Sequence, residues 1–263
     1  MHPDWLIPQW PAPARVQAVC TTRQGGVSPP PYDSFNLGLH VGDDPQRVMR
    51  NRSHLQASLA TPVTFLAQVH GTQVLQLDHQ TQNEQNPHVQ NPKPSEADAC
   101  YTSARGLACC IMVADCLPVL FADRQGSCVA AAHAGWRGLA GQGGGGVLEA
   151  LVRSLPVERT DDLLAWLGPC IGPQAFEVGL EVRAAFLASN PQAQACFKPG
   201  RAPDKFLANL PALARQRLNA LGVDQIFGND GSLDWCTVSN PSRFFSHRRD
   251  RVSGRMAACI WLT

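Results

Sequence analysis

Short apolar runs, cut by Gly, Pro, Asn and Asp, recur along the chain, and their periods set its reading. Residues 16–22 (VQAVCTT) predict a first strand, 63–67 a second, 107–114 and 127–132 two more, and 164–168 and Met256–Leu262 the last. A helix is predicted over Pro45–Leu59, because Asp44 is a good N-cap and Pro45 suits the first helical position. Further helices are predicted at Val147–Ser154, 180–188 and 206–221. The stretch from about Gln80 to Ser95 is rich in Gln, Asn and Pro and reads as an exposed connection without chemistry. Gly141 to Gly146 contains no GxxxxGK[ST] and no GxGxxG in context, so a flexible link into the following helix is expected rather than a phosphate cradle.

Three segments punctuate this pattern: Gln68-Val69-His70-Gly71, Ala114-Asp115-Cys116-Leu117-Pro118, and Ala132-His133-Ala134-Gly135-Trp136-Arg137. Each places an imidazole or a thiol where an apolar run gives way to a turn. Active-site residues concentrate at such strand ends in α/β folds. Two His and one Cys are a catalytic zinc ligand set, since catalytic sites use three protein ligands and keep a fourth position open. A single His or Cys is as readily a buried, hydrogen-bonded core residue; the triple is what carries the metal reading.

Composition narrows the class. With 263 residues, 44% of them hydrophobic, the chain can bury a sizeable core as one large domain or two intimate halves. A net charge of +1 and 16% charged residues provide no field that would draw nucleic acid or an anionic membrane. No apolar run reaches the roughly 18 residues of a membrane span, and Met1-His2-Pro3-Asp4-Trp5 does not open like a signal peptide, so a cytoplasmic protein is expected. Most of the ten cysteines lie inside apolar runs and read as small buried hydrophobes; Cys116, between Asp115 and Pro118, is the exception.

Anionic ligands must then be met locally. Arg137, four residues after His133, and Arg23, which opens the Gly/Pro-rich loop to Pro31, are the expected phosphate ligands. Near the C-terminus, Phe244-Phe245-Ser246-His247-Arg248-Arg249-Asp250-Arg251 reads equally as a solvated basic turn or as a clamp on phosphate or a purine face.

The runs QVHG, ADCLPVLFAD and AAHAGWRG, with TTRQGGVS, FNLGLHVGDDP, GPCIGPQAFEVG and FFSHRRD, resemble the YfiH family, long labelled multicopper polyphenol oxidase or laccase-like and associated with purine nucleoside phosphorylase activity. The resemblance implies one YfiH-like catalytic domain over residues 1–263, an α/β (α+β) protein built as a four-layer α/β/β/α sandwich of mixed sheets. It implies zinc on His70, Cys116 and His133, and phosphorolysis of adenosine, inosine and S-methyl-5'-thioadenosine with some adenosine deamination. Asp115 is then the expected acid, Arg23 and Arg137 the phosphate holders, and Asn36 and Arg248 the nucleoside contacts. The expected partners are a small nucleoside and phosphate, with the protein a monomer or homodimer.

Two other classes compete. One is different metal-dependent hydrolysis, such as editing of peptidoglycan precursors, which the family association also includes. The other is a copper polyphenol oxidase, which would need many more histidines for a trinuclear cluster than the eight present, of which His2, His79 and His88 lie in segments expected to lack order. A pure binding module leaves the thiol, the imidazoles and the loop arginines unexplained.

Overall fold

A strand buried along its whole length needs cover on both faces, and residues 108–113 (ACCIMV), all buried, receive it. Cys109, Ile111 and Val113 point into one apolar cluster, and Ala108, Cys110 and Met112 into another. The computed structural model describes residues 2–79, 94–143 and 145–263. In chain order its elements are β1 (Val16–Cys20), α1 (Pro45–Leu59), β2 (Val63–Thr64), β3 (Val74–Gln76), β4 (Ala99–Thr102), β5 (Ala108–Val113), β6 (Leu117–Asp123), β7 (Val129–Ala134), α2 (Trp136–Ala140), α3 (Val147–Ser154), β8 (Leu163–Leu167), β9 (Glu177–Gly179), α4 (Leu180–Leu187), β10 (Phe197–Pro199), β11 (Lys205–Ala208), α5 (Leu210–Ala220), β12 (Gln225–Gly228), α6 (His247–Asp250) and β13 (Met256–Leu262).

The fold is mixed α/β, with mixed and antiparallel sheets. One sheet runs β1-β13-β5-β2 and a second β12-β8-β6-β7-β4-β3; a third, β10-β11-β9, is small and antiparallel. Between the two large sheets lie Ile111, Leu120, Val129, Trp166 and Ile260. Leu55 and Leu59 of α1 cover the far face of the first sheet, each such side chain contributing about 1.5–3 kcal/mol on full burial. Leu151 of α3, Phe186 of α4 and Leu213 of α5 cover the far face of the second, against Val119, Phe121 and Ala132.

Local signals explain the element ends. Asp44 accepts from Gln46 N at 2.8 Å, and Ala60 closes α1 with φ 51°. Helix α3 begins at Val147 as expected, with Glu149 Oε2 accepting the Gly146 N–H at 2.8 Å. In the preceding link Gly141 has φ 67°, and a Cβ there would lie 2.0 Å from Gly145 O.

The helix expected over 206–221 is shorter than that. Residues up to Ala208 belong to β11, and Asn209 caps a helix that starts at Leu210, its Oδ1 accepting from Ala212 N at 3.0 Å. Residue His2, expected in an unstructured segment, has its ring centroid 6.5 Å from that of Trp5. The expected connection from Gln80 lies, up to residue 93, outside the described residues. Among the described residues no helix is long and apolar enough to cross a membrane.

Candidate metal centre and its cavity

Strand register assembles the centre. β6 and β7 pair antiparallel with Pro118 opposite His133, which brings Cys116, just before β6, beside His133, the penultimate residue of β7. His133 therefore lies at the C-terminal end of its strand, one residue before the last. His70 arrives on the loop after β2, fastened twice. Gln68 Nε2 donates to Met112 O at 2.8 Å while its Oε1 accepts from Met112 N at 2.7 Å. Asp98, fully buried before β4, accepts the backbone N–H groups of Val69, His70 and Gly71 at 3.2, 2.9 and 2.7 Å. These bonds hold His70 at φ 61°, a conformation a non-glycine residue rarely adopts unaided.

The ligand atoms of His70, Cys116 and His133 all lie within 4.8 Å of one another, with Cys116 Sγ 3.7 Å from His70 Nε2. Zinc bound at about 2.0–2.3 Å needs its ligands about 3.5 Å apart, so the set fits with little adjustment. His133 Nδ1 lies 2.8 Å from Asp98 Oδ1, which fixes the ring and leaves Nε2 to face the centre. Burial opposes ionisation of Cys116, but the charge and hydrogen bonds of His133 and His70 outweigh it and bring its pKa down to about 6. Burial likewise opposes protonation of His133, yet the Cys116 charge and the Asp98 bond raise its pKa to about 9. The two shifts share one cause, a thiolate beside a protonated imidazole, so a metal would take the thiolate and displace the proton from His133. Gly135 makes the approach possible: a Cβ there would stand 2.9 Å from His70 Cδ2 and 3.0 Å from Cys116 Sγ.

The centre opens into a cavity of about 360 Å³, within the usual range for small-molecule sites. Its lining combines apolar Ile171, Phe176 and Leu210 with cationic Arg248, Arg251 and Arg255, and includes His40 and His247. Asp115 adds a carboxylate. Its Oδ1 accepts from Thr237 Oγ1 and its Oδ2 from Arg248 N, both at 2.6 Å, and its backbone is held at φ 93°.

The remaining expected site residues fall in different places. Arg248 lines the cavity, with its guanidinium 5.5 Å from the Phe176 ring centroid and Nη1 donating to Glu177 O at 3.0 Å. Asn36 does not reach it: fully buried, it accepts from Arg255 N and Gly38 N, each at 2.9 Å, and donates to Asp43 Oδ2 at 2.9 Å. It supports the wall from behind through Arg255. Arg23 is also absent from the wall, its side chain 12% exposed and donating to Asp33 O, Asp33 Oδ1 and Pro241 O. Arg137 stacks 4.5 Å from the Trp136 ring centroid and lines a neighbouring cavity, separated from the first by His70 and Trp136. The basic turn is anchored, since Phe244 and Phe245 are fully buried and Arg249 donates to Thr237 O, Val238 O and Phe244 O, while His247, Arg248, Asp250 and Arg251 stay exposed.

Several contributors escaped the sequence reading, among them His40, Leu210, Thr237, Asp98 and Arg255. Asp98 sits in Glu96-Ala97-Asp98-Ala99-Cys100, where an acid entering an apolar strand was the available signal. Arg255 had no local signal at all.

A family model described as multi-copper polyphenol oxidoreductase laccase matches residues 17–263. A Pseudomonas aeruginosa protein named purine nucleoside phosphorylase is 50% identical over 258 residues, covering 98% of each chain. The purine nucleoside phosphorylase YfiH of Escherichia coli K12 is 50% identical over 259 residues, again covering 98% of each. Among solved structures, a Neisseria meningitidis protein superposes with a TM-score of 0.87 at 46% identity, covering 98% of this chain and 99% of that one. Bacillus licheniformis YfiH superposes with a TM-score of 0.84 at 31% identity, covering 94% and 93%. With a family match over nearly its whole length, relatives at half identity and the same fold, the chain belongs to the YfiH family.

Proposed function

We propose that the chain is a zinc-dependent purine nucleoside phosphorylase acting on adenosine, inosine and S-methyl-5'-thioadenosine, with adenosine deamination as a lesser activity. The layers of α1, the two large sheets and the remaining helices are read as one catalytic domain of the four-layer sandwich type. The observation that carries the reading is a single cavity in which three metal-type ligands meet apolar and cationic side chains. Relatives that bear the phosphorylase name at 50% identity support it.

The chain's own residues divide the work. Phe176, Ile171 and Leu210 offer the face against which a purine stacks. The cationic side chains favour the phosphate nucleophile and the pentose 1-phosphate product. Both Asp115 oxygens already accept one hydrogen bond and keep a lone pair for a ribose hydroxyl, so Asp115 orients the sugar and clasps α6. His133, with Nδ1–H donated to Asp98, and His70 and Cys116 hold the metal. When bound, zinc supplies Lewis acidity to a substrate atom.

Two His and one Cys would also suit a blue-copper site with an axial Met. Met112 is the methionine of the cavity wall, and its sulfur lies 3.9 Å from Arg52 Nη2, engaged away from the centre. That favours zinc. Chromatographic product analysis with adenosine tests the function: phosphate-dependent adenine and ribose 1-phosphate support it. Inosine alone assigns a deaminase, and no turnover of either kind removes the nucleoside reading in favour of other metal-dependent hydrolysis.

A further inference from the structure

Among the described residues, the non-glycine positions with positive φ are Ala60, His70, Asp115 and Arg251. Ala60 closes a helix; the other three line the cavity. His70 and Asp115 are held there by side-chain bonds already described. Arg251 is different. With φ 63° and ψ −58°, and Val252 N donating to Asp250 O at 2.7 Å, it is the centre of a γ-turn of the rare, strained hand. Glycine would occupy this position at lower cost. A backbone outlier that keeps a large side chain at a cavity wall points to use of that side chain.

The guanidinium supplies the second observation. Arg248 Nη1 is taken by Glu177 O, and Arg255 Nη1 by Ser253 O and Gly254 O. Arg251 is exposed, and among the described residues its guanidinium has no hydrogen-bond or ion-pair partner. No protein acceptor takes up its fork of donors, which leaves the guanidinium available to an anion.

Reaction geometry then discriminates among the arginines. In phosphorolysis a phosphate oxygen forms a bond to the anomeric carbon while the bond from that carbon to the purine nitrogen breaks. The purine leaves with the electron pair and takes up a proton. Phosphate must therefore share the nucleoside's cavity. Arg137 lies beyond the wall of His70 and Trp136, and Arg23 is committed to Asp33 and Pro241. We propose that Arg251 is the principal ligand of inorganic phosphate in the cavity that His40 and His247 also line; this rests on the phosphorylase reading above.

The test is steady-state kinetics of the zinc-loaded enzyme, varying adenosine and phosphate independently, with titration of inorganic phosphate followed by phosphorus NMR. Arg251→Ala should raise the KM for phosphate roughly 10- to 100-fold and weaken phosphate binding equally, leaving the KM for adenosine within about twofold. Arg251→Lys should recover part of the loss. Arg251→Gly should lose phosphate like the alanine variant while melting no lower than wild type, because the turn is relaxed. Arg137→Ala should leave the phosphate KM unchanged. An unchanged phosphate KM and binding in Arg251→Ala overturns the proposal, as does a rise caused by Arg137→Ala instead. A lower melting temperature in Arg251→Gly with both KM values raised would make Arg251 a structural residue. If wild type binds phosphate through Arg251 yet releases no pentose 1-phosphate, the phosphorylase reading fails while the anion site stands.

Discussion

His133 Nδ1 lies 2.8 Å from Asp98 Oδ1, and the same oxygen accepts the His70 backbone N–H at 2.9 Å, so one buried carboxylate positions two of the three metal-type ligands. It also links the centre to β4, immediately after it in the chain.

Replacing Asp98 with Asn should therefore act first on the metal. An amide retains an acceptor for His133 but sets an N–H₂ against backbone donors, and partners of this kind are worth about 10- to 100-fold in metal affinity. Chelator competition on purified protein measures it. Affinity equal to wild type would mean the ring is held by its strand alone.

Acid stability should carry the same signature. Burial pushes the Asp98 carboxyl up, but the hydrogen bond from His133, those from Gly71 and Val69 and the His133 charge hold it below the ordinary carboxylate range. Because the folded pKa is depressed, the unfolded chain binds the proton more readily. The stabilisation is complete above the unfolded value of about 3.9 and fades as pH falls through the folded one. Melting curves of wild type and Asp98→Asn should accordingly converge as pH drops below about 4; a gap that stays constant would assign the difference to something other than ionisation.

Gly135→Ala should damage the centre more than the fold. The added methyl meets His70 Cδ2 and Cys116 Sγ at 2.9 and 3.0 Å, so the ligands must part by a few tenths of an ångström. We expect zinc affinity to fall at least 10-fold with a stability loss of about 1 kcal/mol. Undiminished zinc affinity would show that the loop absorbs the methyl.

Asn36→Ala should do the reverse. Its loss orphans buried donors at Gly38 and Arg255 and frees Asp43, at about 2–3 kcal/mol. Denaturant unfolding reads this directly, and an unchanged midpoint would contradict the role given to it behind Arg255.

What the sequence disclosed follows the range of the interactions concerned. α1 was legible to both ends, because Asp44-Pro45 is a local start signal and the chain stops being amphipathic at Leu59. The metal-type triple was legible because each ligand stands at a break in its own apolar run. β11 was absorbed into a helix because Phe206-Leu207-Ala208 is apolar without alternation, although Asn209 and Pro211 marked the true start. Asp98 was missed because its partners are 28 and 35 residues away, and nothing near it in sequence reports them. Arg23 and Asn36 carried functional residue types, but only the folded chain shows their polar atoms bonded to protein. Conversely, Arg255 reaches the cavity only because β13 is drawn in between β1 and β5.

The most direct measurement is the rate of adenosine phosphorolysis as zinc is returned to chelator-stripped protein, with Cys116→Ser alongside. The account predicts no turnover without metal, activity that rises linearly to a plateau at one zinc per chain, and a Cys116→Ser protein that folds but neither retains zinc nor recovers. Full activity in the metal-free protein, or one tightly held and activating zinc in Cys116→Ser, would contradict it.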